Sequence, residues 1–94
     1  MSDVAEPRGW QAELRDRVHK TRFHMARDGG YDVVAVDEFL TGIEQRLAIE
    51  PMTDAARTEL LAMVGGARFR MVKRYGYAPG DVDQLLDDVR GALG

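Results

Sequence analysis

The chain has 94 residues, a formal net charge of −3, a pI near 5.3 and no cysteine, which suits one compact domain with a modest core and excludes disulfides, thiolate metal sites and cysteine nucleophiles. Acidic and basic residues are mixed in both halves, so the global basic footprint of a nucleic-acid binder is missing. The opening Met1-Ser2-Asp3-Val4-Ala5-Glu6-Pro7 is polar and acidic where a secretory leader is basic and then apolar, and no apolar run reaches membrane-spanning length, so the expectation is a cytoplasmic protein.

In chain order, residues 1–6 read as a tail. Pro7 suits the first turn of a helix, and Trp10, Leu14, Val18 and Thr21 recur at helical spacing, predicting a first helix from about Arg8 to about Met25. Asp28-Gly29-Gly30 ends it. Asp32 is a natural N-cap, and Val33, Val36, Phe39, Leu40, Ile43 and Leu47 form the apolar stripe of a second helix from Val33 to Ala48. Pro51 is a break and Thr53 a cap. Ala56, Leu60, Val64, Ala67 and Met71 then carry a third helix through Gly65-Gly66, where two interior glycines, each costing about 1 kcal/mol, predict a kink, a close helix contact or a break. Pro79 fits a first helical position, Asp81 complements the helix dipole, and Val82, Leu85, Leu86, Val89 and Leu93 line a fourth helix. No segment alternates convincingly with period two.

Offset by 46 residues, the chain repeats itself. Arg22-Phe23 falls on Arg68-Phe69, Gly30-Tyr31 on Gly76-Tyr77, Val36-Asp37 on Val82-Asp83 and Leu40 on Leu86. Twelve of the 38 pairs between Trp10 and Leu47 and their counterparts are identical, where residue usage gives roughly two or three by chance. The expected fold is therefore all-α, a single domain over 1–94 made of two tandem helix, Gly-Tyr turn, helix hairpins at about 8–48 and 53–93. Each hairpin has one apolar stripe it cannot bury alone, so the two are expected to pack as a small pseudo-two-fold four-helix bundle. A plain or swapped homodimer using the same surfaces is the competing arrangement.

The pattern Val18 to Phe23, then Gly30-Tyr31-Asp32, then Val36-Asp37-Glu38-Phe39-Leu40 resembles the N-terminal domain of the DivIVA family, bacterial proteins of pole marking, septum placement and polar growth. A weaker copy runs from Val64 to Leu93. The tandem form resembles actinobacterial repeat proteins, in keeping with two lysines against eleven arginines, a high-GC signature. The resemblance implies a non-catalytic protein-interaction module in cell division, polar growth or envelope organisation, with no cofactor and with a protein partner. Family members continue into a long coiled coil, whereas Pro51 stops the helix here, so assembly by that route is not expected. In some members an exposed apolar residue among basic ones, just before Gly-Tyr, enters the membrane. Here Arg27-Asp28-Gly29 does not match that pattern, while Lys73-Arg74-Tyr75, with Arg68 and Arg70, does. These five residues are the candidate contact for a partner or for the membrane's inner face, which two or three cations bind weakly at about 1 kcal/mol each.

Local explanations stand beside these. Phe23, Phe69, Tyr31 and Tyr77 fit turn-locking core residues, Gly30 and Gly76 a left-handed conformation after a helix, and Asp37 and Asp83 first-turn dipole compensation. Arg27 and Lys73 fit helix C-termini. His19 and His24 do not share a helix face and make no metal site. The acids Asp81, Asp83, Asp87 and Asp88 read as one solvated side of a helix, lacking a calcium loop's spacing. No catalytic motif is visible. The other functional readings are a soluble adaptor in an unrelated process and a helix–turn–helix-like nucleic-acid binder using Arg68, Arg70, Lys73 and Arg74.

Overall fold

Four helices and one two-stranded antiparallel sheet make up residues 9–94, the part of the chain that the computed structural model describes. The expected tail at 1–6, Pro7 and the expected helix start at Arg8 lie outside the described residues. The elements are α1 (Trp10–Lys20), β1 (Met25–Asp28), α2 (Val33–Leu47), α3 (Asp54–Gly65), β2 (Arg74–Tyr77) and α4 (Pro79–Leu93). The expectation of an all-α chain is thus corrected: the molecule is mostly helical, and each repeat sends one strand into a shared sheet.

The helix ends show why. At Thr21 the backbone turns extended, with φ −66° and ψ 135°, and the Thr21 hydroxyl donates to the Arg17 carbonyl, which closes α1 at Lys20 rather than Met25. The glycine pair ends α3 outright, Gly66 donating to the Ala62 carbonyl, so Ala67–Met71 is not helical and Met71 is exposed instead of buried. The other starts follow their caps. Asp32 accepts from the Val34 amide at 3.2 Å, Thr53 from the Ala56 amide at 3.0 Å, and Pro79 opens α4.

The core is the repeat written in three dimensions. Leu14 and Leu60, Val18 and Val64, Val36 and Val82, Leu40 and Leu86, Ile43 and Val89, and Leu47 and Leu93 are all buried. Leu85 joins them, while its counterpart Phe39 packs half-buried against the cluster. α1 lies on α2, α3 lies on α4, and α1 also meets α4. Trp10, expected in the stripe, is 40% exposed and holds the Arg57 guanidinium 5.5 Å from its ring centre. Buried Gln11 donates to the Leu47 and Ile49 carbonyls, fastening α1 to the end of α2.

β1 pairs with β2 in the register Met25 to Tyr77, Ala26 to Gly76 and Asp28 to Arg74. Tyr31 then bridges both Met71 and Tyr77, so across the strip the order is Met25, Tyr77, Tyr31, Met71. Each repeat's tyrosine therefore lies between two segments of the other repeat. Tyr31 and Tyr77 exchange both backbone hydrogen bonds at 2.9 Å, and the Asp32 amide donates to the Arg70 carbonyl as the Ala78 amide does to that of His24. The 46-residue shift maps each of these bonds onto its partner.

Candidate functional site

The repeated Gly-Tyr and Asp positions meet across the strip. The Tyr31 hydroxyl donates to Asp83 Oδ1 at 3.0 Å, and the Tyr77 hydroxyl donates to Asp37 Oδ1 at 2.8 Å. Asp37 and Asp83, expected to serve their own helix dipoles, are instead acceptors for the opposite repeat's tyrosine. The rings cross in the same way, Phe23 on Tyr77 with centroids 4.9 Å apart and Phe69 on Tyr31 at 5.3 Å. Phe39 meets Phe69 edge-on at 5.4 Å.

Burial first, and then the hydrogen bond to the carboxylate, raise both tyrosine hydroxyls above their ordinary pKa of 10.0. The folded state therefore holds these protons more tightly than the unfolded chain, so their stabilisation is complete below pH 10 and disappears as pH rises through the raised values. Tyr31→Phe and Tyr77→Phe should each cost about 1 kcal/mol at neutral pH. The double variant should also lose less stability than the wild type between about pH 9 and pH 11, as denaturant titrations at stepped pH would reveal.

The glycines divide their duties differently from expectation. Gly29 and Gly30 have positive φ, 87° and 101°, but they follow a strand and not a helix, and Gly76 is absent from the positive-φ residues. Close approach explains the repetition: a Cβ at Gly30 would sit 2.7 Å from the Gly76 carbonyl carbon, and one at Gly76 would sit 2.6 Å from that of Gly30. The left-handed position of the second repeat is Tyr75, at φ 59°, the counterpart of Gly29. A side chain there is strained by roughly 1–2 kcal/mol. Tyr75→Gly should therefore raise the unfolding free energy read from a denaturation curve, by less than about 1 kcal/mol once the unfolded-state entropy of glycine is counted.

Tyr75 is 62% exposed, with Arg68, Lys73 and Arg74 exposed on the same stretch and Met71 at 57%. Arg70 is exposed too, but its guanidinium is engaged by Asp32 at 3.2 Å. Arg68 donates to the Ala67 carbonyl. Arg27 and Lys73, expected at helix C-termini, are respectively in β1 and just before β2, where the Lys73 carbonyl accepts from Gly29. Sequence reasoning missed exposed Met25 and Met71, which occupy the two outer places of the strip.

Both histidines are paired. His19 Nδ1 lies 3.1 Å from Glu44. Asp81 Oδ2 accepts from the His24 amide at 2.9 Å and lies 2.8 Å from its Nδ1, and these bonds, the amide's foremost, hold the Asp81 carboxyl below its usual range. Asp83 is bound by Tyr31, and Asp88 takes a hydrogen bond from Gln84, so the acidic side of α4 is more than a solvated face. A cleft of about 440 Å³ runs between α1 and α2 past Phe23 and Tyr77. His19, Glu44, Asp37 and Tyr77 on its walls are all held by the bonds above. Among the described residues no helix is long and apolar enough to cross a membrane, and no three His, Asp or Glu side chains converge as metal ligands. No protein-family model, no characterised protein and no solved structure matches the chain significantly.

Proposed function

We propose that the chain is a non-catalytic protein-interaction module of the DivIVA-like kind, acting in bacterial cell division, polar growth or envelope organisation, and that it binds through the tip of its second repeat. The observation that carries this reading is Tyr75, exposed and held at φ 59° beside Lys73 and Arg74. Strained, exposed residues of this kind are retained where a surface is used. The equivalent tip of the first repeat carries Arg27, Asp28 and Gly29, with neither an aromatic ring nor uniform charge. The fitting partner is a protein with an acidic face. Arg68, Lys73 and Arg74 contribute about 1 kcal/mol each near anionic lipid, which does not retain one copy on a membrane, and α2 ends at Leu47 rather than continuing into a coiled coil that would multiply the contact.

The test compares the double change Lys73→Glu with Tyr75→Ser against Arg27→Glu, Lys73 being exposed and the repeat counterpart of Arg27. A fluorescently tagged wild type should concentrate at poles or septa of a bacterial host and co-purify with a partner. The double variant should lose both, and Arg27→Glu should keep both. A diffuse wild type would replace the division reading with a soluble adaptor, and salt-sensitive sedimentation of purified protein with anionic vesicles would replace the protein partner with lipid.

A further inference from the structure

Asp28 and Arg74 are direct cross-strand partners, and they are also equivalent positions of the two repeats. The pseudo-two-fold axis of the strip runs between them. Any pairing of like repeats would consequently set Asp28 against a second Asp28, or Arg74 against a second Arg74. Both repeats carry the rest of the clasp, namely the crossing glycine, the tyrosine and its aspartate, and the stacked phenylalanine. At the axis, where equivalent positions face each other, the two repeats carry opposite charges. Opposite charges directly across two strands stabilise the pairing and like charges oppose it. The chain joins the two repeats only through residues 48–53, between α2 and α3, so the same contacts are available between two molecules.

We propose that the clasp accepts the unlike repeat of a second copy of this chain, and that Asp28 and Arg74 are the residues that select unlike over like. Within one chain the linker presents the matching repeat at an effective concentration on the order of millimolar, so the closed monomer prevails in dilute solution. Exchange between copies follows when chains open and refold together at high concentration.

Full-length D28R and R74D test this. Each alone has like charges at the axis in every pairing open to it, within a chain or between chains, whereas each offers the other two opposite pairs. Refolded together at about 100 µM, below the effective concentration set by the linker, the two should form a 1:1 heterodimer with roughly hundredfold preference over either homodimer, about tenfold for each pair relieved. Light scattering after size exclusion and native mass spectrometry read the stoichiometry. Should a single variant be unfolded by itself, recovery of helical circular dichroism on mixing reports the same pairing. The chain carrying D28R and R74D together should be a monomer that melts with the wild type. Two separate monomers in the mixture, equal dimerisation of one variant alone, or a combined chain no more stable than the single variants would overturn the proposal.

Discussion

Gly76→Ala should destabilise the protein by about 3 kcal/mol, and Gly30→Ala by about 1–2 kcal/mol more. The two glycines press their backbones together, and a Cβ at Gly76 would lie 2.6 Å from both the Gly30 carbonyl carbon and the Tyr31 oxygen. Backbone atoms cannot swing aside as the end of a side chain can, so the strip must spread and lose hydrogen bonds. Gly76 does not have positive φ, so its cost isolates the steric crossing. Gly30, at φ 101°, adds conformational strain to the same clash. Gly29 is the internal control. Its φ is 87°, yet its Cβ would meet only the Val72 oxygen at 3.7 Å, so Gly29→Ala should cost no more than about 1–2 kcal/mol. Urea denaturation of the three variants gives the order, and a wild-type midpoint for Gly76→Ala would remove the crossing as an explanation.

Leu47→Ala and Leu93→Ala should each cost about 4 kcal/mol, a large share of the 5–15 kcal/mol that holds a domain together. Both side chains are completely buried, at equivalent places near the ends of α2 and α4. The lost transfer energy and the cavity therefore add in both, and the two costs should agree within about 1 kcal/mol. Leu40→Ala and Leu86→Ala should fall nearer 2 kcal/mol, because those side chains keep 7% and 9% exposure and their surroundings can relax toward solvent. Thermal melts of all four variants check the pairing. Unequal costs for Leu47 and Leu93 would mean that the repeats do not share the core as their equivalence requires.

The helices and their buried faces were legible because their signal is local. The stripes Val36, Leu40, Ile43, Leu47 and Val82, Leu86, Val89, Leu93 recur at helical spacing, and caps such as Asp32, Thr53 and Pro79 act within one turn. The strands were not legible for the opposite reason. Met25-Ala26-Arg27-Asp28 has neither alternation nor strong strand propensity, and what makes it a strand is the hydrogen bonding of residues 74–77 in the other repeat. Thr21 and Gly66 likewise ended helices that periodicity extended. At the candidate site the basic residues and Tyr75 were visible as composition, whereas the positive φ of Tyr75 was not. The tyrosine–aspartate exchange did leave a trace, since Tyr31 with Asp37 and Tyr77 with Asp83 keep one spacing in both copies. Two such pairs can bond within or across repeats, and only the folded arrangement chooses.

The interleaved order Met25, Tyr77, Tyr31, Met71 also sets how the duplication behaves as a thermodynamic unit. In stacked repeat arrays each unit contributes its own stability plus a term for its neighbour, and ends can fray one repeat at a time. Here neither half contains a complete strip, a satisfied tyrosine or a covered glycine, so melting one copy strips the other of the same contacts. Two copies of one repeat should thereby unfold as a single cooperative unit, with no half-folded state in which one copy survives.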